Sequence, residues 1–157
     1  MSPPKYLLII SCGKKKSEEL KHHALKAEEA YKGPMFQVIN KAKRENRWGD
    51  NLKLGVVSAK YGFLRESDLI TYYDLKMTKP IAKQLHSKVI ESIRSWYYAE
   101  LFSLIYVIMG KDYLASVKGL EDYIKTDVRI ENMGGLGLGQ RKLLDFLNSI
   151  DISGLDS

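Results

Sequence analysis

The chain is poor in the residues that make covalent and metal cross-links. Among its 157 residues are one cysteine and three histidines. One cysteine forms no internal disulfide, and with an adjacent histidine pair it gives no zinc ligand set of workable spacing. His22, His23 and His86 all fall in segments of helical character, so Cys12 has no evident histidine base. Long apolar runs are missing too: the longest, "LFSLIYVIMG" (Leu101 to Gly110), is about half of what a membrane-spanning helix requires. No charged n-region with an apolar h-region opens the chain, and neither repeats nor low-complexity tracts interrupt it. These absences lead us to expect a cytoplasmic protein, with no membrane and no metal, folded as one domain over residues 1–157.

What is present fits a globular protein. Apolar residues make up 45% and charged ones 28%, enough to bury a core. The formal net charge is +6, which attracts anions and makes a nucleotide, DNA or RNA the first partner to consider.

Four runs have strand character: Tyr6 to Ser11, Leu52 to Ser58, Leu101 to Met109 and Asp127 to Glu131. The first and third are nearly continuous in apolar residues, the pattern of parallel strands covered on both faces. Between them lie helical periods. Ile81, Leu85, Val89, Ile93 and Trp96 follow Pro80; Met35, Val38, Ile39 and Ala42 follow Gly33-Pro34; Leu143, Leu144, Leu147 and Ile150 close the chain. Weaker helices are expected over 18–31 and 111–123, the latter interrupted by Gly119. Residues 61–79 fit no period and read as a long ordered loop with room for a short extra strand. The alternation predicts a three-layer α/β fold, with a mostly parallel sheet of about four strands and helices on both faces.

Ligands of such sheets bind beyond the carboxyl ends of the strands. The stretches there are "SCGKKK" (Ser11 to Lys16), "SAKYGFL" (Ser58 to Leu64) and "MGKDY" (Met109 to Tyr113). Each holds a glycine and a lysine. In the first, Gly13 frees the backbone to turn, and Ser11 and Lys14 offer a hydroxyl and a charge to an anion; the alternative is a surface turn with solvated lysines. Neither the triphosphate-binding loop nor the dinucleotide-binding spacing is present, so no cofactor is implied. Cys12 reads better as a small buried thiol than as a nucleophile.

In the second stretch Ser58 ends a strand, Lys60 supplies charge, Tyr61 offers a stacking surface or packs on a helix, and Gly62 serves the turn. Gly110 plays the corresponding part in the third. In "TYYDLKM" (Thr71 to Met77), Asp74 among aromatic rings suits general acid or base work, or caps a turn. The glycine-rich "NMGGLGLGQRK" (Asn132 to Lys142) is either a second anion contact or a site of tight helix-to-sheet packing.

Together "SCGKKK", "AYKGPMF" (Ala30 to Phe36), "VVSAKYGFL" (Val56 to Leu64) and "DLITYYD" (Asp68 to Asp74) resemble an uncharacterised family of small bacterial, archaeal and phage proteins. The arrangement is more distantly similar to the peroxide-stress YaaA proteins and to a domain of archaeosine-forming tRNA enzymes, both uracil-DNA-glycosylase-like in fold. Positions matching the family pattern are Ser11, Cys12, Lys14, Tyr31, Ser58, Lys60, Tyr61, Gly62, Tyr73 and Asp74; Tyr31 enters through the resemblance alone. Tyr72 stands where the family usually has proline, and Phe63 where it has leucine.

The resemblance implies nucleic-acid or nucleobase chemistry. The expected function is a hydrolase or transferase at an N-glycosidic bond, with Asp74, Tyr73 and Lys60 as catalytic candidates. Asp74 would stabilise positive charge on the sugar or orient water; Lys14 and Lys60 would hold phosphate; Tyr61 or Tyr73 would stack on the base. The competing expectation is a non-catalytic DNA- or RNA-binding module on the same cationic edge.

Overall fold

The computed structural model describes residues 4–150. Seven strands and four α-helices follow one another there: β1 (Tyr6–Ser11), β2 (Leu25–Lys26), α1 (Ala27–Ala30), α2 (Pro34–Arg44), β3 (Leu52–Ser58), β4 (Gly62–Arg65), β5 (Leu69–Ile70), α3 (Lys79–Glu100), β6 (Leu104–Met109), β7 (Asp127–Asn132) and α4 (Leu136–Ser149). Short 3₁₀ turns occupy Glu18–Lys21, Leu114–Val117 and Leu120–Asp122.

The main sheet has five strands in the order β4-β3-β1-β6-β7, and β2 pairs with β5 in a separate two-stranded ladder. All main-sheet neighbours run parallel except β3 and β4. The strand β1 is central because it can be buried on both faces. Its Leu8 and Ile10, with Cys12 just beyond, pack against Met35, Phe36 and Ile39 of α2 and Leu143 and Phe146 of α4. Its Leu7 and Ile9 point the other way, toward Val89, Ile90 and Ile93 of α3. The period of two thus builds both cores from one strand. Its four aliphatic side chains are fully buried, each worth about 1.5–3 kcal/mol relative to exposure.

Helix boundaries follow local chemistry. Pro34 occupies the first turn of α2, and Lys41, Lys43 and Arg44 complement the dipole at its end. The Ile81 amide donates to Thr78 Oγ1 at 3.3 Å, capping α3. That helix ends at Leu101, which takes a left-handed conformation with φ 55° and donates its amide to Tyr97 O at 2.6 Å.

A three-layer α/β fold with helices on both faces is therefore present, with five strands where four were expected. The fifth, β4, lies in the segment expected as a loop and hairpins back on β3 through Gly62 at φ +75°. Two other expectations are corrected. The third strand starts at Leu104 rather than Leu101, because α3 runs on to Glu100. Residues 18–31 are not one helix: Ser17 N–H donates to Ala30 O at 2.8 Å and Lys32 N–H to Lys15 O at 2.9 Å, so the chain doubles back to seat Tyr31 beneath the first loop. Tertiary pairing overrides the helical composition there.

Phe63 packs closely on the neighbouring strand. Its ring lies over Gly55 of β3, where a Cβ would come within 2.5 Å of Phe63 Cζ.

Candidate functional site

Strand β1 has β3 on one side and β6 on the other, with α2 and α3 on opposite faces. The crevice beyond the carboxyl ends of β1 and β6 is therefore the point where the winding reverses, the place at which open α/β sheets bind ligands. A hollow of about 450 Å³ opens there. The loop after β1 contributes Gly13, Lys14 and Lys16; the loop after β6 contributes Asp112 and Tyr113; the segment after β5 crosses over as Asp74, Leu75, Lys76 and Met77. Three ammonium groups thus face two carboxylates, beside an apolar surface from Leu75, Met77 and Tyr113.

Backbone geometry brings these groups together. Gly13 has φ +71°, and a Cβ added there would meet no atom within 4 Å, so conformation rather than space requires glycine. Cys12 N–H donates to Val57 O at 3.1 Å, tying the loop to β3, and Gly110 N–H donates to Ser11 Oγ at 3.3 Å, tying it to the loop after β6. Lys16 is held as well: its Nζ lies 4.4 Å from the Tyr73 ring centroid and 3.5 Å from Lys14 O.

Beneath the hollow runs a buried polar network. Ser58 Oγ accepts the amides of Lys60 and Tyr61, each at 3.2 Å, and donates to the Tyr73 hydroxyl at 2.9 Å. Tyr31 and Tyr73 hydroxyls are 2.7 Å apart. Tyr73 donates to Cys12 Sγ at 3.7 Å, and the Tyr113 hydroxyl lies 3.4 Å from the same sulfur. Burial, with the Cys12 sulfur adding to it, pushes the phenols of Tyr31, Tyr73 and Tyr113 above their ordinary value. These tyrosines remain protonated donors.

Among the sequence candidates, Lys14 and Asp74 meet in the hollow, with Gly13 beside them. Ser11, Cys12, Tyr31, Ser58 and Tyr73 form its underlying support. Tyr73 is a correction to the stacking role: it is 5% exposed and covered by the Lys16 ammonium, so it presents no face to a ligand. Lys60 is a second correction. Exposed at the β3–β4 turn, it does not line the hollow, because the turn at Gly62 carries the chain back along β3. Tyr61 directs its hydroxyl to Thr71, accepting the Thr71 amide at 3.1 Å, and sets its ring edge-on to Tyr73. Gly62 serves the turn. Gly110 has ordinary φ and open space apart from Tyr113 at 3.7 Å.

Lys16, Lys76, Asp112 and Tyr113 complete the site, although the sequence alone did not mark them as site residues. Asp112 and Tyr113 stand directly after a strand end, the signal that should have marked them. In the glycine-rich stretch, Gly139 is buried against Met133, and Lys142 Nζ donates to Asn132 O at 2.8 Å. That is the tight-packing alternative.

Fold and crevice define a doubly covered α/β domain with a charged hollow at its winding reversal. The chain belongs to a family of unknown function, DUF6884, whose profile matches residues 7–148. Similar in fold is the solved structure described as the crystal structure of AF0587, a protein of unknown function, at a TM-score of 0.57 and 10% identity. The alignment covers 97% of this chain and 47% of that one, so the chain spans about half of its length. No curated protein matches the chain in sequence. No helix among the described residues is long and apolar enough to cross a membrane.

Proposed function

We propose that the protein is an enzyme acting on a nucleotide or nucleic acid, a hydrolase or transferase at the N-glycosidic bond of a nucleobase. The observation that carries this reading is the hollow at the winding reversal, where Lys14, Lys16 and Lys76 face Asp74 and Asp112 beside Tyr113. Each part has a use. The ammonium groups bind phosphate, the apolar wall of Leu75, Met77 and Tyr113 receives the planar base, and the carboxylates serve the reacting centre.

In the hydrolytic form, cleavage of the C–N bond leaves its electron pair on the base nitrogen and positive charge on the sugar. One carboxylate faces that charge and accepts a proton from the attacking water, whose oxygen bonds to the anomeric carbon. The departing base takes up a proton from solvent, and the carboxylate returns the proton it accepted to solvent as the site resets. Asp74 is assigned the base role and Asp112 the second carboxylate. The tyrosine network beneath fixes the loops that carry them, which is where precise placement contributes most.

The test is release of free base, followed by chromatography, from nucleotides and from single- and double-stranded oligonucleotides. Asp74→Asn should lower release about 100-fold or more while leaving binding within about 2-fold. Unchanged turnover in Asp74→Asn removes that residue from the mechanism, and no released base from any substrate with wild-type protein refutes the reading. Binding that persists without release would leave a nucleic-acid-binding module.

A further inference from the structure

The proposed chemistry uses one hollow, and the signs of charge around the other cavities bear on what else touches the substrate. We infer that the substrate is a polynucleotide strand, and that a second cavity beside the hollow, lined by Lys83, Lys118 and Tyr123, holds the nucleotides next to the one that reacts. This rests on the reading of the hollow as a nucleotide site and goes beyond it in naming the substrate class and a further binding site.

Three observations carry the inference. First, the second cavity adjoins the hollow. It measures about 570 Å³ and lies between α3, which supplies Lys83 and His86, and the 3₁₀ turns after β6, which supply Ala115, Lys118 and Tyr123 with their flanks. Tyr113 lines the hollow and Ala115 the second cavity, so the two rims are separated by at most about 7 Å of extended chain. On the α3 side, exposed Lys79 stands in the chain between Met77 of the hollow and Lys83 of the second cavity. Along this path Lys79, Lys83 and Lys118 add to the three lysines of the hollow, and Asp122 adds to its two carboxylates. The excess is three positive charges, half of the chain's +6.

Secondly, three other cavities lack such an excess. The one beside β4 sets Arg65 and Lys88 against Asp68 and Glu91, and the one beside β7 sets Arg129 and Lys142 against Glu131 and Asp145. Both are neutral. The one past the lysine run sets Lys32 against Glu19, Glu28 and Glu29 and is acidic. Cations thus continue from the hollow toward α3, as a phosphodiester backbone requires of the groove that tracks it.

Thirdly, the second cavity offers a base a surface. Tyr123 is 44% exposed, and its ring meets His86 in a T-shaped contact with centroids 6.4 Å apart. His86 Nε2 donates to the Lys118 carbonyl at 2.7 Å, so one imidazole holds both the aromatic ring and the lysine beside it. An exposed ring next to cations is the arrangement on which unpaired bases stack.

The experiment is fluorescence anisotropy of the full chain with labelled single-stranded oligodeoxynucleotides and oligoribonucleotides, from dinucleotides to ten-mers, over a range of salt concentrations. Affinity should rise about 10-fold or more from dinucleotide to ten-mer. Lys83→Ala with Lys118→Ala should cancel most of that rise and lower the slope of log affinity against log salt by about 0.7 or more. Tyr123→Leu should weaken ten-mer binding without changing the slope. Lys32→Ala with Lys41→Ala, which removes as much charge at the start and end of α2, should leave the rise intact. Affinity that does not rise with length overturns the inference, as does a rise that survives the loss of Lys83 and Lys118 or falls equally with Lys32 and Lys41, or no binding by any oligonucleotide. The two proposals fail separately. Length-dependent binding through Lys83 and Lys118 without base release defeats the enzyme reading alone. Base release from free nucleotides as fast as from oligonucleotides, unchanged in Lys83→Ala with Lys118→Ala, defeats the polymer inference alone.

Discussion

Removing the Tyr73 hydroxyl should cost far more stability than removing the Tyr31 hydroxyl, although the two oxygens touch. Both lone pairs of Ser58 Oγ are taken by the amides of Lys60 and Tyr61, so its proton goes to Tyr73. Tyr73 directs its own proton to Cys12 Sγ, and Tyr31 therefore donates to Tyr73. In Tyr73→Phe both Ser58 and Tyr31 lose their acceptor in a fully buried place. Each orphaned group costs about 1–3 kcal/mol, or about 2–6 kcal/mol together. For a chain of this size that lowers Tm by about 4–24 °C. Tyr31→Phe removes a donor but orphans nothing, because Tyr73 still accepts from Ser58; the loss is about 1 kcal/mol, or about 2–4 °C. Adding Tyr31→Phe to Tyr73→Phe removes one orphan and should raise stability again. Thermal unfolding by circular dichroism at neutral pH, run as a double-mutant cycle, measures all three values. A Tyr31→Phe loss equal to or above that of Tyr73→Phe refutes the assigned proton directions.

Other expectations rest on the same geometry. Since Tyr31, Tyr73 and Tyr113 hold their protons more tightly folded than unfolded, their contribution is complete below the unfolded value of 10.0 and is lost as pH rises above it. The expected loss is about 1.4 kcal/mol per pH unit for each phenol. Thermal melts from pH 8 to 11 should show this alkaline fall, and it should be shallower in Tyr113→Phe; an identical profile would remove Tyr113 from the account. Gly55→Ala should cost about 1–3 kcal/mol through overpacking against Phe63, and Phe63→Leu in the same chain should recover much of it, as read by denaturant unfolding. Gly13→Ala forces a side chain to φ +71° and should lose about 1–2 kcal/mol. Gly110→Ala meets only an ordinary contact with Tyr113 and should be nearly neutral.

The strands of the sheet interior were legible because burial on both faces leaves an unmistakable apolar run, as in Leu7 to Ile10. Their mostly parallel direction and the helices between them followed from alternation. Strand β4, four residues long where Gly62 turns the chain back on β3, falls in the stretch that left room for a short extra strand. What escaped depends on contacts distant in sequence. The segment 18–31 has helical composition, yet pairing with Lys15 and with β5 dismembers it. At the site, Lys14 and Asp74 were found because each stands out locally, in a lysine run and among tyrosines. Asp112 lies in the strand-end stretch "MGKDY", which marked the place without singling out the residue, and the fold brings it into the same hollow as Asp74. The reverse error, for Tyr73 and Lys60, arose because proximity to a strand end does not say whether a side chain points into the interior or away from the crevice.

The bonds from Cys12 to Val57 and from Gly110 to Ser11 stitch the first loop to both flanking strands. A glycine-and-lysine loop at a sheet edge would ordinarily fray early; this one is fastened to the centre of the molecule. The Cys12 and Gly110 amide protons should therefore exchange with solvent far more slowly than those of the exposed loop residues 13–15, so that the base of the crevice opens with the sheet.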